Sequence, residues 1–193
     1  MSVLIGVLIA VAVILVLFVV LTFNGFIRKR NRTQEAWSQI DVELKRRHDL
    51  IPNLVETVKG YAGHERATLD SVTEARTSAQ QAKTVEQQAA AESGLTAALG
   101  RLFAVAEAYP QLRATENFQQ LQSELEETED KIAVARQLYN DAVLSYDNTR
   151  ETVPTSLVAG LIGFAPRPYF EIDERSRALP QADFSALPAP QDG

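Results

Sequence analysis

Apolar positions fall into two kinds of pattern along the chain. From Val3 to Phe23 nearly every position is apolar; only Gly6 and Thr22 interrupt a run of 21 residues without a charge. Such a run has no polar side to offer water. As a helix it spans about 31 Å, one hydrocarbon core. From Trp37 the pattern changes. Trp37, Ile40, Leu44, Arg47, Ile51, Leu54, Val58, Tyr61, Glu65, Thr68 and Val72 are separated by threes and fours, which is the seam of an amphipathic helix. The spacing returns without a slip at Phe118, Leu121, Leu125, Thr128, Ile132, Ala135, Tyr139, Ala142, Tyr146, Thr149 and Val153. Between the two seams, Leu95, Leu99, Leu102, Phe103 and Ala106 mark a shorter apolar face. Seams of this kind need helical partners. The expectation is an all-α chain: an N-terminal transmembrane helix, then an antiparallel up-and-down bundle of long helices, either four helices or three long ones.

The breakers decide between those two. Gly60 and Gly63 bracket Tyr61; a turn near Gly60–His64 gives four helices, and a continuous helix gives three. Pro52 has no N–H for the carbonyl of His48, so a kink is expected there. Thr84 and Gln87 fit a capping box that opens a helix in an Ala/Gln-rich stretch. Tyr109-Pro110 closes that helix, and a short link runs to Thr115. Pro154 stops the last seam. Leu157–Phe164, LVAGLIGF, is apolar but too short to cross a bilayer. Ala165-Pro166-Arg167-Pro168 forces an extended path. From Ser176 the chain has little to bury and reads as disordered. The organisation expected is a tail at 1–2, an anchor at 3–23, a basic juxtamembrane segment at 24–34, a bundle at 35–153, an apolar and Pro-containing segment at 154–175 and a disordered tail at 176–193.

Charge orients the molecule. Residues 1–32 hold Arg28, Lys29, Arg30 and Arg32 and no acid. A basic cluster on the carboxyl side of an anchor stays in the cytoplasm, which leaves residues 1–2 outside. A cleaved signal peptide fits less well, because the run is long and no basic segment precedes it. The other 15 bases share the rest of the chain with all 25 acids. An acidic soluble part is no footprint for nucleic acid. The absence of cysteine removes disulfides and thiolate chemistry.

A search for chemistry finds no constellation. A carboxylate-bridged di-metal bundle needs Glu-x-x-His pairs; Lys45 and Tyr61 stand three residues before His48 and His64. On a continuous helix the two histidines lie about 160° apart. No zinc-protease pattern, phosphate loop or nucleophile elbow occurs. The reading is therefore of no enzyme, with no catalytic, cofactor-binding or metal-ligating residue. Two segments remain as candidates. Lys45, Arg46, Arg47, His48 and Asp49 form a candidate partner surface, unless the pairs Asp41–Lys45 and Glu43–Arg47 make it a plain salt-bridged face. Arg47 lies on the seam, so it must meet an acid from the last helix or face a groove. Leu157, Leu161, Ile162 and Phe164 form a candidate membrane-interface segment. With four helices the last one returns to the bilayer and brings them there; with three they lie far from it.

Several runs resemble the LemA family: Ala36-Trp37-Ser38-Gln39-Ile40-Asp41-Val42 and Leu44 to Val55, then Leu95-x-x-Ala98-Leu99-Gly100-Arg101-Leu102, Glu107-Ala108-Tyr109-Pro110, Phe118-x-x-Leu121, Arg136-x-x-Tyr139-Asn140, Pro154-x-x-Leu157 and Phe164 to Glu171. They occur in order over most of residues 1–172, and the disordered end falls outside them. The resemblance implies a bacterial inner-membrane protein with a short external amino terminus and a cytoplasmic antiparallel bundle. It implies no settled activity and carries over no catalytic residue. The function expected is a membrane-tethered scaffold or adaptor that engages protein partners through helices. A self-associating, homo-oligomeric structural protein is the alternative, and a metal-dependent or hydrolytic enzyme ranks third.

Overall fold

A computed structural model describes residues 1–171. Its elements are α1 (Ser2–Ala62), α2 (Arg66–Gln81), α3 (Val85–Glu107), α4 (Pro110–Arg113), α5 (Glu116–Glu151) and α6 (Thr155–Ile162). The described residues contain no strand. The disordered tail expected at 176–193, and the end of the 154–175 segment, lie outside the described residues.

α1 is one helix of 61 residues, about 90 Å long. Its first third, from Val3 to Phe23, contains no buried residue. Helix α1 is long and apolar enough there to cross a membrane. Burial begins at Phe26 and Thr33 and then follows the seam through Ala36, Ile40, Leu44, Ile51, Leu54 and Val58. The segment 24–34 is thus already part of the packed body, and no break separates anchor from bundle.

The chain turns at Gly63–Glu65, which gives the four-helix arrangement. α1 ends at Ala62 with Gly63 in right-handed conformation, so the turn does not use glycine's left-handed freedom. Ending the helix there rotates the seam: Ala62 is buried and Tyr61 is half exposed. α2 runs back along α1 until Arg76 meets His48. Thr84 caps α3, accepting a bond from the Gln87 N–H at 3.2 Å, while the Gln87 side chain accepts from the Lys83 N–H at 3.0 Å. α3 climbs again, α4 is a single turn opened by Pro110, and α5 descends along the whole packed part of α1. The α5 seam is buried from Phe118 to Tyr146; Val153 at its end is exposed.

The α2–α3 hairpin packs on the part of the α1–α5 pair far from the apolar end, and its tip reaches the level of Trp37, where Val85 and Ala89 pack. There a core of Ile51, Leu54, Val58, Leu69, Val72, Leu95, Leu99, Leu102, Phe118 and Leu125 forms. Each such side chain, fully removed from water, contributes about 1.5–3 kcal/mol. Nearer the apolar end, the carboxyl-terminal strap fills the space. Gly163, at φ 80°, ends α6 in the left-handed region that favours glycine. The chain then turns back along α5. Tyr146 donates to the Ala165 carbonyl at 2.9 Å and Tyr139 to that of Pro168 at 2.8 Å. Asn140 bonds both backbone groups of Phe170. Phe170 is buried beside Trp37, with centroids 5.8 Å apart.

Candidate functional site

The centre of the bundle is polar. Arg47 and His48 are turned inward to meet Glu92 of α3, and all three are buried. Arg47 Nη1 lies 3.3 Å from Glu92 Oε2, and Nη2 donates to Thr96 Oγ1 at 2.9 Å. His48 Nε2 and Glu92 Oε1 are 2.7 Å apart, and the Gln88 amide donates to the same oxygen at 3.0 Å. Glu129 of α5 stands 3.1 Å from Arg47 Nη1, close enough to pair by charge but without hydrogen-bond alignment.

Pro52 belongs to the same cluster. It leaves the His48 carbonyl without its helical donor, and Arg76 of α2 supplies one: its Nε donates to that oxygen at 2.7 Å. One turn of α1 therefore offers a guanidinium, an imidazole and a freed carbonyl, and each is answered from another helix. The polar groups are satisfied by α2, α3 and α5 together, so the cluster sets how four helices register. Glu92 was the residue missed by sequence reasoning. It sits three residues before Leu95 and after Ala89, an acid on an apolar stripe.

The charged run is split by this geometry. Lys45, Arg46 and Asp49 are exposed, while Arg47 and His48 are interior and contribute nothing to an outward face. Lys45 pairs with Asp49 at 2.7 Å, in place of the expected partner Asp41. Its ammonium holds the Asp49 carboxyl below the usual carboxylate range. Arg47 meets acids of α3 and α5 in place of Glu43. Leu157, Leu161 and Ile162 are exposed and Phe164 is partly covered; these four lie beside the carboxyl end of the apolar run, since Phe164 touches Phe23 and Phe26.

A second feature lies on the side of α1–α5 away from the hairpin. Val42, Val134 and Leu138 are each at least half exposed. With Ser38, Gln39 and Ala135 they line a groove of about 740 Å³, rimmed by Glu35, Glu43, Asp130 and Lys131. No nucleophile–base pair faces it. Among the described residues no three His, Asp or Glu side chains are placed to hold a metal ion.

Fold and site define an all-α bundle carried on a helix long and apolar enough to span a membrane, with a buried polar cluster and an open apolar groove. The sequence profile of the LemA family matches residues 36–184, and the chain belongs to that family. The match runs past Glu171 into the carboxyl-terminal tail, farther than the motifs alone reach. The chain is 28% identical over 175 residues to magnetosome protein MamQ 2 of Paramagnetospirillum magneticum, covering 77% of this chain and 64% of that protein. It is 25% identical over 174 residues to MamQ of Magnetospirillum gryphiswaldense, with the same coverage. It is 27% identical over 156 residues to protein LemA of Metamycoplasma hominis, covering 80% and 71%. The matched region thus spans a little under two thirds of the MamQ proteins.

Proposed function

We propose that the protein is a non-enzymatic scaffold or adaptor of the bacterial inner membrane, with its amino terminus outside and its bundle in the cytoplasm. The unbroken α1 supports this reading, because it joins the apolar span rigidly to the groove. The basic residues Arg28 to Arg32 support the orientation. The carrying observation is the groove between α1 and α5. From Glu35 to Glu43 it runs about 12 Å, two turns of a partner helix. Its floor is apolar, and three of its four charged rim residues are acids. The occupant that fits is an amphipathic helix of a client protein, apolar on one side and flanked by basic residues.

In-cell photocrosslinking from positions 42 and 138 of the full-length protein tests the reading. The expected result is a discrete adduct whose crosslinked peptide is a basic-flanked amphipathic helix, lost on Glu35→Lys and Asp130→Lys. Self-adducts alone would replace the adaptor by a self-associating structural protein. No adduct from a folded protein would remove the groove from consideration.

A further inference from the structure

Helix α6 is the second exposed apolar feature of the packed body. It has no charged residue. Val158 and Ala159 face inward, and Ala159 packs with Phe26 and Tyr146. Leu157 and Leu161, one turn apart, point outward with exposures of 67% and 88%, and Ile162 is 44% exposed. A helix buried on one side and fully apolar on the other has two apolar environments, and the bundle supplies only one.

Its height is fixed by aromatic contacts. Phe164 stacks on Phe26 with centroids 4.5 Å apart and tilts against Phe23 at 5.9 Å. Phe23 is the last residue of the apolar run, and Phe26 lies about 4.5 Å farther along the axis. α6 is therefore held where the span ends. On the neighbouring turns of α1, Arg28, Arg30 and Arg32 are exposed. Lys29 is committed to Ser145, donating to its Oγ at 2.6 Å. The nearby acids Asp147 and Glu151 share Arg150, which leaves one net negative charge there against the three exposed arginines.

We propose that α6 is a second membrane contact. Leu157, Leu161 and Ile162 enter the boundary between acyl chains and headgroups of the leaflet that α1 leaves, and Arg28, Arg30 and Arg32 meet the phosphates of anionic lipids. Apolar insertion plus basic residues at headgroup depth is the general recipe of an interfacial helix. Two contacts on one leaflet fix the tilt and rotation of the bundle, which a single anchor leaves free. The inference rests on the anchor reading of α1.

The chain has no cysteine, so single labels are clean. Full-length protein carrying Val11→Cys, Leu161→Cys or Gln122→Cys is labelled with an environment-sensitive fluorophore and reconstituted in vesicles of phosphatidylcholine and phosphatidylglycerol. The label at 161 is expected to emit to the blue of the label at 122. It should be quenched by lipids bearing a nitroxide near the carbonyl, with a several-fold lower iodide quenching constant. A label at 161 that behaves like that at 122, while 11 stays lipid-quenched, overturns the proposal and leaves the anchor intact. An iodide-accessible label at 11 overturns both.

Discussion

Glu92→Ala is the sharpest perturbation of the bundle. The Glu92 side chain is 2% exposed and serves three donors, on Arg47, His48 and Gln88. Truncation leaves Arg47 with Thr96 and the unaligned carboxylate of Glu129, and leaves the buried His48 Nε2 without a partner. Removing one member of a buried ion pair costs about 3–5 kcal/mol, because the remaining charge stays desolvated. That is a large share of a domain stability of about 5–15 kcal/mol. The assay is guanidinium unfolding of the detergent-solubilised protein, followed by far-ultraviolet circular dichroism. The midpoint should fall steeply with little change in slope. A cycle isolates the pair: Arg47→Met and Glu92→Leu are each expected to destabilise, and the double variant to lose less than their sum by about 2 kcal/mol. Losses below about 1 kcal/mol for Glu92→Ala, or additivity in the cycle, would refute the claim that this cluster locks the helices.

Arg76→Met leaves the His48 carbonyl without a donor and should cost about 1–3 kcal/mol; adding Pro52→Ala, whose N–H can take that carbonyl, should recover part of it in the same unfolding assay. Phe170→Ala should release the strap and shift the emission of Trp37, the single tryptophan, to the red; unchanged emission would contradict the packing. Strap docking should also fail in alkali. Burial pushes the Tyr139 and Tyr146 phenols up, against the lowering effect of Arg167. A phenol raised in the folded state contributes stability that is fully present below about pH 10 and is lost as pH rises through its folded value. Trp37 emission should therefore hold steady through neutral pH and change only above the ordinary phenol range, and Tyr139→Phe with Tyr146→Phe should flatten that change.

How much of this was legible in the sequence follows from what each signal measures. The α1 and α5 seams could be read because burial along a helix repeats every three or four residues, and nearly every seam residue of α5 is buried. The capping box at Thr84 and the stop at Tyr109-Pro110 could be read because both are local bonds of the backbone. The turn at Gly63–Glu65 stayed open between two architectures, since glycine permits a break without requiring one. The site was only half visible. Arg47 stood out as a cation on an apolar seam, but its partner Glu92 lies 45 residues away in an Ala/Gln-rich stretch. Pairing them needs the up-down-up-down order, which local periodicity does not contain. His48 looked exposed because it adjoins the charged run; the helix turns it inward beside Arg47.

Pro52 shows why the cluster has to sit where it does. A proline inside a long helix frees one carbonyl and invites a kink, and α1 must carry the bundle without a break from the apolar span. The freed carbonyl is at His48, midway along the stretch of α1 on which α2 and α3 pack. Arg76 closes it from α2 while Glu92 closes Arg47 and His48 from α3. The defect in α1 is thus the point to which the hairpin is tied. A hairpin shifted by one turn along α1 would leave the carbonyl, the guanidinium and the imidazole all unanswered, each at the cost of a buried polar group. Apolar packing alone tolerates such a shift, because a seam looks nearly the same one turn on. The polar cluster selects one register, and with it the uncovered side of α1–α5 where the groove opens.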